Sequence, residues 1–217
     1  MSEKSKKITV VDYGVGNLQS INKALQACDV EVEITEEADK IKSAQAIILP
    51  GVGSFEAGMR GLKLRGLEEV LKSVALKDIP ILGICLGAQL LLSKGYEFGE
   101  YAGLGIIFGQ VMPFPVLAEK EKIPHICWNK IRPPNSVLWQ DTILKNQEEK
   151  EVYFVHSYIL KPQDEVDCLA TAVYGGYEFC SAIKKGNIYG CQFHPEKSGL
   201  VGLAIINNFV KLIEKSN

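Results

Sequence analysis

The chain alternates short apolar runs with amphipathic stretches. Ile8 to Asp12 reads as a strand and is followed by Gly14-Val15-Gly16-Asn17. Between Leu18 and Cys28, the residues Leu18, Ile21, Leu25 and Cys28 recur at helical spacing and give one apolar face. Val30 to Ile34 and Ala46 to Leu49 read as further strands, the second ending in Pro50-Gly51-Val52-Gly53. A helical stretch near Leu62 to Leu76 leads through Pro80 into the strand Ile81 to Ile84. Cys85-Leu86-Gly87 then turns the chain into a helix over Ala88 to Ser93. Short strands alternating with helices predict an α/β fold with an open, mostly parallel sheet flanked by helices.

The second half is richer in strands. Val152 to Leu160, Leu169 to Tyr174, Cys180 to Lys184 and Asn187 to Phe193 read as extended, with hairpin-type turns at Gly175-Gly176 and Lys185-Gly186-Asn187. Additional antiparallel strands are therefore expected here, closed by an amphipathic helix from Leu200 to Ile213. Pro113 to Glu151, with Pro133-Pro134, carries no clear period and is expected to form loops over an irregular sheet. No repeat or Pro/Gly/Ser-rich linker divides the chain, so residues 1–217 are expected to form one domain.

Composition narrows the function classes. Lys+Arg number 24 and Asp+Glu 26, a formal charge of −2, which argues against a non-specific nucleic-acid binder. The apolar runs are of strand length, so no membrane association is expected. Lys4, Lys6 and Lys7 make a slightly basic start, but a strand follows and not a signal-peptide core. Cys28, Cys85, Cys127, Cys168, Cys180 and Cys191 form no C-x-x-C pair, which fits reduced thiols and a cytoplasmic location. No Cys/His cluster has metal-ligand spacing, so no metal is expected. Gly14 and Gly16 lack the third glycine of a dinucleotide loop, since Gln19 stands there, and no cofactor is expected.

The sharpest local signal is Gly83-Ile84-Cys85-Leu86-Gly87, which follows a buried strand and opens a helix. This is the nucleophile-elbow layout with cysteine in place of serine. A tight strand-to-helix turn crowds its flanks, which suits glycine, and the helix N-terminus beside the sulfur favours thiolate. A structural cysteine before a glycine turn would read the same in isolation. Gln192-Phe193-His194-Pro195-Glu196 weighs against that. In an extended segment His194 and Glu196 face the same way, with Pro195 stiffening the backbone between them. A carboxylate beside an imidazole fixes its tautomer, and the imidazole can then move the proton of Cys85. Pro50-Gly51-Val52-Gly53 follows a buried strand at the sheet edge where ligands bind, and its backbone N–H groups are candidates for an oxyanion site; an ordinary β-to-α turn remains the alternative. His156, in Tyr153-Phe154-Val155-His156-Ser157-Tyr158, reads as structural or substrate-lining, and His125 is given no catalytic role.

These motifs, in this order, resemble the class I (triad-type) glutamine amidotransferases, and within them the glutaminase subunits of imidazole glycerol phosphate synthase. The resemblance runs from Asp12-Tyr13-Gly14-Val15-Gly16-Asn17 to Gln192-Phe193-His194-Pro195-Glu196-Lys197-Ser198. It implies that Cys85 attacks the glutamine side-chain amide, that His194 protonates the departing ammonia and that Glu196 orients His194. It implies oxyanion donors among the backbone N–H groups near Val52, in the loop of Gly51, Val52 and Gly53, and near Leu86 on the elbow. It places Gln89 on the substrate, with His156, Ser157 and Tyr158 lining the pocket. A (β/α)8-barrel cyclase/synthase subunit is the implied heterodimer partner and recipient of ammonia, with Asn17, Trp128, Tyr153 and Lys197 at the docking face. Two positions depart from the family pattern. Cys127 stands where glycine is usual before Trp-Asn, and Ala88 stands where methionine is usual. A paralogous subunit serving a sugar amidotransferase of surface-polysaccharide synthesis is the alternative. A cysteine-elbow hydrolase or stress protein, or a silent binding module, would not need the H-P-E segment.

Overall fold

A computed structural model describes residues 6–117, 121–134 and 138–215. Lys4 of the basic start, Ser136 and its neighbours within the irregular stretch, and the last two residues lie outside these.

The first half is built as strand and helix in turn: β1 (Lys7–Val11), α1 (Leu18–Gln26), β2 (Glu31–Thr35), α2 (Ala38–Lys42), β3 (Ile47–Leu49), α3 (Phe55–Leu64), α4 (Leu67–Leu76), β4 (Ile81–Ile84) and α5 (Leu86–Leu90). Short strands β5 (Lys94–Gly95), β6 (Tyr101–Ala102) and β7 (Gly109–Pro113) follow. Next come β8 (His125–Lys130), β9 (Glu151–His156), β10 (Tyr158–Pro162), β11 (Cys168–Tyr174), β12 (Tyr177–Lys185) and β13 (Ile188–Cys191). Helices α6 (Gly199–Val210) and α7 (Leu212–Lys215) close the described chain.

Among the described residues, eleven strands make one sheet in the order β2-β1-β3-β4-β13-β12-β10-β7-β5-β6, with β11 on β12. The block β2-β1-β3-β4-β13 is parallel throughout. Strands β12, β10, β7 and β11 extend it in antiparallel sense.

Inside the β2 edge, the parallel strands are buried on both faces, and their side chains divide with period two. Val10, Ile48, Leu82 and Ile84 join the apolar layer under α1 and α6. Val11, Ile47, Leu49 and Ile81 join the layer under α2, α3 and α4. Burying each such side chain is worth about 1.5–3 kcal/mol, so the strand runs fix which segments lie at the centre.

Several expectations differ in detail, among them the helix expected over Ala88 to Ser93, which is the short α5 over Leu86–Leu90. The helical stretch Leu62 to Leu76 is two helices, broken where Gly66 takes a left-handed φ of 66° before α4; the start of the first, at Phe55, is capped by the Ser54 hydroxyl. The extended run Val152 to Leu160 is two strands. β9 pairs with β8 in a separate two-stranded sheet, and after Ser157 the chain crosses to pair with β7. The last helix begins at Gly199 and stops at Val210, with α7 continuing after Lys211. The irregular stretch Pro113 to Glu151 contains β8, whose inward and outward residues alternate along the strand.

Candidate active site

Neighbouring parallel strands release the chain side by side. Leu49 of β3 pairs with Gly83 of β4, and Ile84 of β4 pairs with Cys191 of β13. The loop Pro50 to Gly53, Cys85 and the segment Gln192 to Glu196 therefore emerge together at the carboxyl edge of the sheet, where α/β folds bind ligands.

Cys85 sits at the corner with φ 53° and ψ −109°, a conformation that costs a non-glycine residue energy. It is pinned on both sides: its N–H donates to Cys191 O at 2.7 Å, and its carbonyl accepts from Gln89 N at 3.2 Å. The turn is as crowded as the glycine spacing implies. A Cβ on Gly87 would stand 1.8 Å from Leu49 O, and one on Gly51 would stand 2.7 Å from Gly87 N. Backbone therefore packs on backbone where the loop meets the elbow, and the Tyr13 hydroxyl secures it by donating to the Pro50 carbonyl.

His194 is held differently from the sequence expectation. His194 itself is extended, but Pro195–Lys197 is a single 3-10 turn, not a continuing strand. The turn, and not strand alternation, folds Glu196 back so that Glu196 Oε1 reaches His194 Nδ1 at 2.8 Å. The turn is anchored to β9: His194 N–H donates to Tyr153 O at 2.9 Å, and Ser198 Oγ accepts from Tyr153 N at 3.0 Å. His194 Nε2 is buried without a hydrogen-bond partner. Burial works against charge on this imidazole, but the Cys85 sulfur and the Glu196 carboxylate outweigh it and raise the group to about 9.

Cys85 and His194 line a cavity of about 510 Å³ together with Val52, Gly53, Leu86, Gln89, His156, Ser157 and Tyr158. Gly51 lies beneath, against Leu86 and Gly87. Glu97, Ser54, Pro124 and Val155 complete the wall and carried no signal in the sequence. Glu97 is brought in by β5, which pairs in parallel with the distant β7, and its Oε2 accepts from the N–H of Phe55 at 2.6 Å. No local pattern encodes that approach. Gln192 was legible only as part of its motif, yet its side chain is fully buried beside Cys85.

A directed chain of hydrogen bonds runs behind the pocket. The Tyr158 carbonyl can only accept, so His156 Nδ1, 2.8 Å away, carries the proton. His156 Nε2 then accepts from His125 Nδ1 at 3.0 Å, and His125 Nε2 is left to accept from the Cys127 thiol at 3.1 Å. Both imidazoles are neutral and serve structure. Cys127, the departure from the family pattern, has a definite partner.

The four residues assigned to docking fall around the same edge. Trp128 is 50% exposed, and its ring lies 6.0 Å from that of Tyr153, which in turn lies 6.5 Å from the His194 ring. Lys197 is exposed directly after Glu196. Asn17 has a structural task as well, since its Oδ1 caps α1 by accepting from Ser20 N at 3.2 Å.

Among the described residues no group of three or more His, Cys, Asp or Glu side chains could hold a metal ion, and no helix is long and apolar enough to cross a membrane.

Known proteins resemble this one at full length. "Imidazole glycerol phosphate synthase subunit HisH 1" of Legionella pneumophila (strain Lens) is 45% identical over 210 residues, covering 94% of this chain and 99% of that protein. "Imidazole glycerol phosphate synthase subunit HisH" of Synechocystis is 46% identical over 215 residues, covering 97% and 98%. Among solved structures, PurLQS from Thermotoga maritima superimposes with a TM-score of 0.72 at 20% identity, over 96% of this chain and 99% of that one. A glutamine amidotransferase from the same organism gives 0.63 at 14% identity, over 98% and 86%. These two speak to the fold alone. Residues 9–212 match the family described as Glutamine amidotransferase class-I, and with relatives this similar over its whole length, the chain belongs to that family.

Proposed function

We propose that this protein is the glutaminase subunit of an imidazole glycerol phosphate synthase, acting in histidine biosynthesis as a single domain in the cytoplasm. The observation that carries the chemistry is the buried pair His194–Glu196 at the wall of the cavity that Cys85 lines from its strained elbow. The names borne by full-length relatives support the pathway. The six free cysteines are in keeping with the location.

In this reading Cys85 Sγ attacks the side-chain amide carbon of glutamine. Negative charge develops on the amide oxygen, and backbone N–H groups at Val52 and Leu86 are the proposed donors to it. His194, with Nδ1 committed to Glu196, uses Nε2 to move the proton. It gives that proton to the departing nitrogen as the C–N bond breaks, releasing ammonia and leaving a glutamyl thioester on Cys85. Water, deprotonated by the same imidazole, hydrolyses the thioester to glutamate and the free thiol. The α-ammonium of glutamine needs an anionic partner, and Glu97 supplies a carboxylate in the wall. Gln89 and Ser157 offer the remaining polar contacts, while Tyr158 and His156 close the side.

Ammonia must reach a second active site, and the surface beside the cavity suits a partner. On the outward side of the β8–β9 pair, Ile126 stands opposite Val155 and Trp128 opposite Tyr153. Ile126 and Trp128 are 55% and 50% exposed, an apolar stripe of the kind buried in subunit interfaces. We assign it, with Asn17 and Lys197, to docking on the (β/α)8-barrel synthase subunit.

The test is glutamate release from glutamine by the purified chain, with and without the barrel synthase and its ligand, with Cys85→Ala as control. Cys85-dependent release stimulated by the barrel is expected. Release that survives Cys85→Ala would overturn the chemistry, and Cys85-dependent release indifferent to the barrel would overturn the partner.

A further inference from the structure

The side chain of Gln192 lies between the nucleophile and the helix glutamine. It is 0% exposed, so its amide must find partners inside the protein. Gln192 Oε1 accepts from Gln89 Nε2 at 3.2 Å, and Gln192 Nε2 lies 3.9 Å from Cys85 Sγ. The orientation of both amides follows from one fixed acceptor. Gln89 Nε2 also approaches the Tyr158 carbonyl at 3.5 Å, which cannot donate, so the nitrogen of Gln89 must face that way. Gln192 must then turn its oxygen to Gln89, which leaves its N–H for the sulfur. The Tyr158 carbonyl is itself fixed by His156 Nδ1. With both Nε2 hydrogens of Gln89 committed, its carbonyl oxygen is the atom left for a ligand in the cavity that Gln89 lines.

We infer that Gln192 is a positioning residue of the glutaminase site, presenting an N–H to the Cys85 sulfur while holding Gln89 with its carbonyl oxygen free for the substrate. This rests on the reading of the cavity as a glutamine site. A neutral thiol attracts an amide N–H weakly, in keeping with 3.9 Å, whereas a thiolate makes the bond charge-assisted and shorter. Gln192 therefore favours the ionised nucleophile and ties its ionisation to the carrier of substrate. Other groups also act on this sulfur: His194 with Glu196 behind it, Tyr13 from just beyond β1, and the Val155 carbonyl, which accepts from the thiol at 3.9 Å; His156 and Glu97 line the same cavity. None of these touches Gln89 and Cys85 at once through one amide plane.

The experiment compares Gln192→Met and Gln192→Glu with the wild-type chain in complex with its barrel partner. Methionine keeps the volume but removes donor and acceptor. The pH midpoint for alkylation of Cys85 by iodoacetamide should rise by about one unit or more, because the N–H that favoured thiolate is gone. KM for glutamine should rise roughly tenfold, the effect of freeing Gln89 from one hydrogen bond. Glutamate restores an acceptor for Gln89 but adds a carboxylate beside the sulfur. It should return KM to within about threefold of wild type while the alkylation midpoint stays raised. Midpoints that superimpose on wild type in both variants overturn the inference, as does a KM unchanged by methionine. Alkylation requires no turnover, so it still reads the Gln192 contact if the wild-type complex releases no glutamate; that outcome would overturn the glutaminase reading instead. Should the variants not fold, the side-chain amide nitrogen resonance of Gln192 in the wild-type chain is followed through the Cys85 titration. It should move with the ionisation of Cys85 and cease to move in Cys85→Ala, and a resonance that stays flat in wild type overturns the inference.

Discussion

Glu196 Oε1 lies 2.8 Å from His194 Nδ1, and the two side chains are 1% and 2% exposed. A carboxylate so buried is stable only with a cationic or donating partner, and its second oxygen, Oε2, has no hydrogen-bond partner. The carboxylate therefore serves the imidazole and nothing else around it. Glu196→Gln keeps the shape and removes the charge. Glutaminase kcat should fall roughly 10²–10⁴-fold, because the imidazole loses both its fixed tautomer and the stabilisation of its protonated form. The high-pH limb of activity, set by loss of the His194 proton near 9, should move to lower pH. Steady-state kinetics across pH, beside a thermal melt showing a folded variant, checks both.

The neutral pair behind the pocket makes a separate prediction about stability. Burial drives His125 down to about 4, and burial with the charges of His125 and His194 drives His156 well below the ordinary range, only partly offset by the Tyr158 carbonyl. An unfolded histidine takes up its proton near pH ~6.5. Above that pH neither state binds it. As pH falls below it, the unfolded chain gains protons that the folded chain refuses, so folding stability declines. The slope approaches about 1.4 kcal/mol per pH unit for each such histidine. His194, raised to about 9, has the opposite sign: its contribution is present at low pH and lost as pH rises through that value. His125→Phe keeps an aromatic ring between Phe154 and Tyr174, whose ring centroids lie 4.9 and 4.0 Å from His125. It should be less stable at pH 7, since His156 loses its donor, but its stability should fall less between pH 7 and 5 than that of wild type. Urea denaturation at both pH values measures this, and equal slopes would show that His125 is not the titrating group.

Much of this architecture was legible because the information is local. The central parallel strands are short and dominated by apolar residues, as at Ile47–Leu49 and Ile81–Ile84, and the crossover helices carry apolar faces. The elbow glycines and the H-P-E segment were visible for the same reason: a tight turn and a neighbouring carboxylate are properties of a few adjacent residues. Where the sequence misled, distant structure decided. The run Val152 to Leu160 has one uninterrupted extended pattern, and only the competition between β8 and β7 as partners splits it at Ser157. The pairing of His194 with Glu196 was anticipated from strand alternation, yet a 3-10 turn produces it, because Ser198 and Tyr153 hold the segment from outside. Glu97 reaches the cavity through the pairing of β5 with β7, and Gln192 matters through Gln89, which is 103 residues away along the chain. Neither relation leaves a trace in spacing or composition.

The docking face can be tested without disturbing the active site. Trp128 is half-exposed, stacks edge-on to Tyr153 and bonds to none of the residues that position Cys85. A large aromatic left in solvent at this place contributes little to the fold of the isolated chain, whereas truncating such an anchor in an interface costs about 2 kcal/mol or more. Trp128→Ala should therefore leave the melting temperature of the free chain within about 2 °C of wild type. It should weaken association with the barrel synthase roughly 30-fold, as read by titration calorimetry. The reactivity of Cys85 toward iodoacetamide in the free chain should be unchanged. Leu76 is the control, being 89% exposed at the end of α4 just before β4 begins, and so at the opposite edge of the sheet. Leu76→Ala should leave association untouched. If Leu76→Ala weakens binding and Trp128→Ala does not, the partner sits on the other edge, and ammonia would then have no short path from Cys85 to its recipient.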